Sequence, residues 1–204
     1  MSISPNPRIA QDDDFELIRA INAGQSGLFP ELLRRYERKL YNFGMRMCRD
    51  VQDTEDMVQD TFINVFNYLK DFRYETKFKN WLYRIATGTC LKQKRKSKYA
   101  PERELSLEEF IPDEKARMAT QVPEWASLPL EQLLNEELSS LIKEGIASLP
   151  EKYRLVLVLR DMEEFDTAET ARILGLTPEN IKVRLHRARL FLREKLKAYY
   201  DHDA

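Results

Sequence analysis

One rhythm dominates this chain: apolar residues recur every three to four positions, and no stretch alternates apolar with polar residues for long enough to make a convincing strand. Side chains arranged this way are buried by packing helix against helix, so the expected fold class is all-α. Phe15, Leu17, Ile18 and Ile21 mark a short helix, and Leu32, Leu33, Tyr36, Leu40, Phe43 and Met47 a longer one. Val58, Phe62, Val65, Phe66 and Leu69 form one stripe of a third, with Asp53 as its expected cap and Asp56 three residues on. A fourth runs from Phe78 through Trp81, Leu82, Ile85 and Ala86 to Leu91. Together they predict a compact helical bundle over residues 12–97.

After residue 97 the rhythm breaks. Between Ser97 and Leu130 fall Pro101, Pro112, Pro123 and Pro129, and acidic residues outnumber basic ones, which reads as a flexible linker over 98–130. Fully extended, about thirty residues span on the order of 100 Å, more than two turns of duplex DNA at roughly 70 Å. The helical rhythm then resumes over 131–200. Leu134, Leu138, Leu141, Ile142, Ile146 and Leu149 mark a helix stopped at Pro150, and Tyr153 to Met162 another. Thr167 to Leu174 follows, with Gly175 as a left-handed cap. Thr177 caps a last helix that has Pro178 at its first position and Ile181, Leu185, Ala188 and Leu192 as its buried stripe. The expectation is an N-terminal helical bundle and a C-terminal helix-turn-helix domain, joined by the linker.

Composition narrows the function classes. With 204 residues, 43% hydrophobic and 33% charged, the chain is neither collagen-like nor wholly disordered. Its longest aliphatic run, Leu155 to Leu159, is far short of the roughly 18 residues a membrane span needs. The first residues lack a basic region followed by an apolar one, so no membrane insertion and a cytoplasmic location are expected. Cys48, Cys90, His186 and His202 have no metal-ligand spacing; no metal, cofactor or disulfide framework is expected. The net charge of −1 hides an uneven distribution: Lys70 to Lys98 carries +8, Lys182 to Lys197 carries +6, and the rest of the chain carries −15. Two basic blocks on separate modules of an otherwise acidic protein point to nucleic acid.

Three segments carry the functional signal. The helices around Gly175 have the form of a helix-turn-helix, and Asn180, Lys182, Val183, Arg184, His186 and Arg187 lie off the predicted core stripe, where they would face a major groove. An ordinary helical hairpin with a charged outer face is the plain alternative. In Phe72 to Lys98, aromatics Phe72, Tyr74, Phe78, Trp81 and Tyr83 interleave with Arg73, Lys77, Lys79 and Arg84, a mixture suited to stacking unpaired bases while cations follow the phosphates. Much of this segment must still be core: helical spacing favours burial of Phe78, Leu82 and Ile85, and Trp81 fits either role. The acidic helix opening at Asp53, Asp56, Gln59 and Asp60 complements a helix dipole or offers a face for protein docking. Its carboxylates could in principle hold Mg²⁺ for a nuclease, but no His or Lys lies nearby in sequence to act as base.

These three segments, in this order, resemble the extracytoplasmic-function group of bacterial sigma factors of the sigma-70 family, the promoter-recognition subunits of RNA polymerase. DTEDMVQDTF from Asp53 to Phe62 looks like the polymerase-binding helix and FKNWLYRIA from Phe78 to Ala86 like the strand-opening segment. LPEKYRLVLVLRD, ETARILGL and IKVRLHRARLFLRE look like the C-terminal DNA-binding domain. The resemblance implies that Asp53, Asp56, Gln59 and Asp60 meet core RNA polymerase, at its large clamp subunit, with the flap as a further contact. It implies that Arg73, Tyr74, Lys77, Phe78, Asn80, Trp81 and Arg84 engage the minus-ten element. Asn180, Lys182, Val183, Arg184, His186 and Arg187 would engage the minus-thirty-five element as duplex. It further implies control by an anti-sigma factor, no catalytic residues and no enzymatic activity of the chain itself. Departures are visible: Arg73-Tyr74 stands where relatives often have Arg-Gly, Thr87 and Gly88 stand where relatives often have a helical Asn after the RIA triplet, and the acidic linker is longer than in the most compact relatives. A stand-alone helix-turn-helix regulator is the rival reading.

Overall fold

The computed structural model describes residues 14–96 and 136–200, which belong to two compact units divided near Lys98. The expected linker over 98–130, and the first few residues of the expected second module including Leu134, lie outside the described residues.

The first unit is a helical bundle. Helix α1 covers Phe15–Asn22, α2 Phe29–Cys48, α3 Val51–Tyr68 and α4 Phe78–Lys96, with short 3₁₀ turns at Ser26–Leu28 and Leu69–Asp71. Pro30 stands in the first turn of α2, where its missing N–H has no helical partner to lose. Arg49, in the left-handed region at φ 67°, closes that helix. The cap of α3 is Asp50, whose carboxylate accepts from the Asp53 backbone N–H at 3.0 Å; the sequence had placed the cap at Asp53. Asp50 is extended while Asp53 is already helical, so only the former has backbone geometry for a cap.

α3 packs against both α2 and α4. The centre is filled by Leu32, Leu40, Phe43, Met47, Met57, Val65, Phe78, Leu82 and Tyr83, with the pairs Tyr36–Phe78 and Phe43–Tyr83 edge to face at 5.4 Å. The buried face of α3 differs from the one its apolar stripe predicts: Thr54, Met57, Thr61 and Val65 point inward, Val58 and Phe62 are half-buried, and Phe66 is 59% exposed. The reason lies on α2. A Cβ on Gly44 would stand 2.8 Å from the Thr54 Cγ2 and 2.6 Å from the Met57 Cε, so the two helices meet closely at a glycine and a threonine. The bulkier stripe is turned to the side. The inward hydroxyls are satisfied locally, Thr54 donating to the Asp50 carbonyl at 2.7 Å. Ahead of α1, the buried Asp14 accepts from the Tyr36 hydroxyl and from Arg35 at 2.9 Å, tying the start of α1 to α2. Hydrogen bonds to Glu31 and to Asp14 raise the Arg35 guanidinium above its ordinary pKa.

The second unit contains α5 (Glu136–Ser148), α6 (Glu151–Leu157), α7 (Thr167–Leu174) and α8 (Pro178–Tyr200), with a π-helical turn at Val158–Met162 extending α6. Tyr153 through Leu159 are all buried, the pattern of a helix covered on every side. α8 is the element against which α5, α6 and α7 all pack. Its expected stripe of Ile181, Leu185, Ala188 and Leu192 is buried.

Gly44→Ala is expected to force α2 and α3 apart against a stiff β-branched neighbour and to destabilise by about 1–3 kcal/mol in urea unfolding. Gly88→Ala on α4, where a Cβ would meet open space, should instead stabilise by up to about 1 kcal/mol.

Candidate protein-docking and nucleic-acid surfaces

The helix-turn-helix is built from α7, a three-residue turn and α8. Asp166 and Glu169 form a reciprocal capping box at the start of α7, with bonds of 2.7 and 3.0 Å. Gly175 at φ 65° closes that helix. The Thr177 hydroxyl then accepts from the Asn180 N–H at 3.3 Å, starting α8. With Ile181 and Leu185 turned inward, Asn180, Lys182 and Val183 are exposed, Val183 by 50%, and Arg184 is half-exposed. His186 and Arg187 are, like Arg184, half-buried, and the His186 Nε2 is shut away from solvent. Of the six residues predicted for the duplex, the first three are open to solvent and the last three are partly covered. Arg189 is bound back to the C-terminal end of α6 by a two-pronged contact with Asp161, at 2.9 Å from Nε and 2.6 Å from Nη2.

In the first unit, the segment between α3 and α4 holds Arg73, Glu75 and Lys77 exposed and Trp81 half-buried on the first turn of α4, with Arg84 exposed one turn further on. Tyr74 is half-buried, with a left-handed backbone at φ 57°. Phe78 and Asn80, which the family resemblance implies at the minus-ten element, are both buried: Phe78, as its helical spacing favours, lies almost fully covered against Phe72, Trp81 and Tyr36, and Asn80 is 6% exposed. The inward direction of Phe78 follows from helix geometry, since Phe78 and Leu82 lie one turn apart on the same side of α4. Tyr83, which the sequence pattern grouped with the interleaved aromatics, is also core.

On α3, Asp53, Asp56, Gln59 and Asp60 are all exposed, and Gln52 donates to Asp56 at 3.2 Å. Among the described residues no group of three His, Cys, Asp or Glu is placed to hold a metal ion. Beside this polar face runs an apolar groove between α2 and α3, lined by Leu33, Tyr41, Val58, Phe62, Ile63 and Phe66, with Glu55 and Gln59 on its edge. Ile63 is 49% exposed. The sequence reading missed this groove because it assigned Phe62 and Phe66 to the core. Their spacing from the threonine stripe was the available signal.

A helical bundle with an acidic-apolar face and a basic aromatic loop is coupled in one chain to a helix-turn-helix. The "Sigma-70 region 2" family model matches residues 32–99 and the "Sigma-70, region 4" model residues 139–192. The chain is 33% identical over 180 residues to the ECF RNA polymerase sigma factor SigW of Bacillus subtilis, covering 88% of this chain and 95% of that protein. It is 27% identical over 184 residues to the RNA polymerase sigma-H factor of Pseudomonas aeruginosa, with coverage of 89% and 92%. Its fold is shared by CnrH, solved in complex with the cytosolic domain of CnrY, at a TM-score of 0.60 and 24% identity, over 94% of this chain and 99% of that one. It is shared equally by the sigma factor RpoE of Bartonella quintana, solved with the anti-sigma factor NepR, at a TM-score of 0.60 and 24% identity, over 83% and 96%. The protein belongs to the extracytoplasmic-function group of the sigma-70 family, and is an RNA polymerase sigma factor.

Asp166→Ala removes the capping box that starts the helix-turn-helix. It is expected to cost about 1 kcal/mol of stability in the second unit, measured by urea unfolding followed by circular dichroism.

Proposed function

We propose that the two units engage separate targets in one initiation complex and that the chain performs no covalent chemistry of its own. The observation that carries this reading is the segregation of surface chemistry: acid and apolar on α3, cations around a half-exposed tryptophan at the start of α4, and an open polar-cationic face on α8. Each suits a different kind of partner. The exposed Asp53, Asp56, Gln59 and Asp60, continuous with the groove of Phe62, Ile63 and Phe66, form the docking face for the large clamp subunit of core polymerase. Apolar contact supplies affinity there, and the acidic rim supplies steering.

Arg73, Lys77 and Arg84 follow the backbone of the separated minus-ten strand, and Trp81 offers a stacking surface, worth roughly 1 to 3 kcal/mol per base. Phe78 and Asn80 support this surface from within. Asn180, near the start of α8, reads base edges of the minus-thirty-five duplex. Lys182 and Arg184 bond phosphate or guanine, and Val183 makes apolar contact in the groove. Tethering two weak readers on one chain gives selectivity that neither has alone. Among the described residues no helix is long and apolar enough to cross a membrane, in keeping with action on DNA-bound polymerase in the cytoplasm. An anti-sigma factor as regulator is supported by the neighbouring fold of RpoE, solved with the anti-sigma factor NepR.

Purified chain added to core polymerase should direct initiation from discrete start sites on a genomic fragment library. Polymerase that initiates no more selectively with the chain than without it overturns the reading. Gln59→Ala and Asp60→Ala should weaken polymerase association while leaving promoter-duplex affinity of the free chain unchanged. Arg184→Ala should lower duplex affinity and, if its partner is a phosphate, reduce the slope of log affinity against log salt by about one.

A further inference from the structure

Tyr74 combines two features. Its backbone, at φ 57°, lies in a region that L side chains rarely adopt and that persists only where the surroundings impose it. Its ring is held on two sides, 4.8 Å from Phe15 and 4.9 Å from Phe72 between centroids. The Tyr74 hydroxyl accepts a long hydrogen bond of 3.5 Å from the Asn22 amide, which also donates to the Leu69 carbonyl at 3.3 Å. Phe15 opens α1 and Asn22 closes it, so the socket for this one ring is formed by both ends of α1 and by the residue where the loop departs from α3. Phe72 in turn lies 5.3 Å from Trp81. The ring thus faces the protein, while its neighbours Arg73 and Glu75 are exposed.

We propose that Tyr74 is a positioning residue and not a DNA contact: its ring, seated against Phe15 and Asn22 of α1, latches the loop 73–77 so that Arg73 and Lys77 are presented beside Trp81. At residue 74 the backbone is left-handed and the ring is turned inward, while 73 and 75 stay outward. An unlatched loop would sample many arrangements and pay the ordering entropy only when it met the strand. α1 carries none of the proposed DNA-contacting cations, yet through this socket it sets how ready they are. The inference rests on the reading of this loop as the strand-contacting surface.

The test uses the full chain, alone and with core polymerase, and two readouts: trypsin cleavage after Arg73 and Lys77 in the free protein, and permanganate reactivity of promoter thymines in the complex. Phe15→Ala and Asn22→Ala, both outside the loop, should speed cleavage and lower strand opening by about two- to tenfold, the factor corresponding to one lost aromatic pair. Phe15→Leu serves where the alanine variant unfolds α1. Tyr74→Gly should behave like Phe15→Ala, the two together no worse than either alone, and polymerase association should be unchanged. Tyr74→Phe should restore most of the wild-type behaviour. Reduced strand opening in Tyr74→Gly with Phe15 and Asn22 variants normal in both readouts would make Tyr74 a direct contact and overturn the proposal. Faster cleavage with undiminished opening would overturn it equally. A wild-type chain that opens no promoter with polymerase sinks the underlying functional reading instead, and the cleavage readout still decides whether the latch exists.

Discussion

The close approach of α2 and α3 at Gly44 sets the character of the first unit. Because Gly44 has no side chain and Thr54 is compact, the two helices pack at a distance that leaves no room for a larger inward face. Met57 and Val65 fill what space remains. The apolar residues that a looser packing would bury are instead turned out as the wall of a groove beside the acidic residues of the same helix. A single small residue on one helix therefore determines which side of its neighbour is available to partners. α4 and the loop before it are then fixed by the aromatic pairs that tie Tyr36 to Phe78 and Phe43 to Tyr83.

The second unit solves a different problem. α8 is both the spine of a small core and the element that carries an open polar-cationic face. It does so by strict division of its circumference, with Ile181, Leu185, Ala188 and Leu192 inward and the polar-cationic residues outward. Its starting point is set by a hydroxyl cap and a left-handed glycine a few residues before, so the rotation of the helix about its axis follows from where the turn ends. Shifting the start by one residue would swing the open face by about 100°.

Much of this was legible in the chain, and the failures have physical causes. The α8 stripe, the glycine cap and the Thr177–Pro178 start were readable because they depend on local chemistry alone. The break at Pro150 and the start of α4 at Phe78 were equally local. The inward face of α3 was not, because it depends on a glycine on another helix that brings threonines within contact. Asp50 was overlooked as a cap because Asp53 and Asp56 make a similar pattern three residues later. Phe78 and Asn80 belonged to a segment whose aromatic-basic mixture resembles a binding surface, while the helical period assigns at least Phe78 to the core; the period was the better guide. The seat of Tyr74 joins residues over fifty positions apart in the chain, beyond any local pattern.

The two-pronged contact between Arg189 and Asp161 has a consequence for how charge on α8 is counted. Seven cations lie between Lys182 and Lys197, but Arg189 is already paired with the Asp161 carboxylate. An arginine held there neutralises no phosphate when a polyanion arrives and so frees none of the polyanion's condensed counterions. Formal charge overstates the polyelectrolyte strength of this helix, and part of its basic content is invested in holding the helix on its own domain.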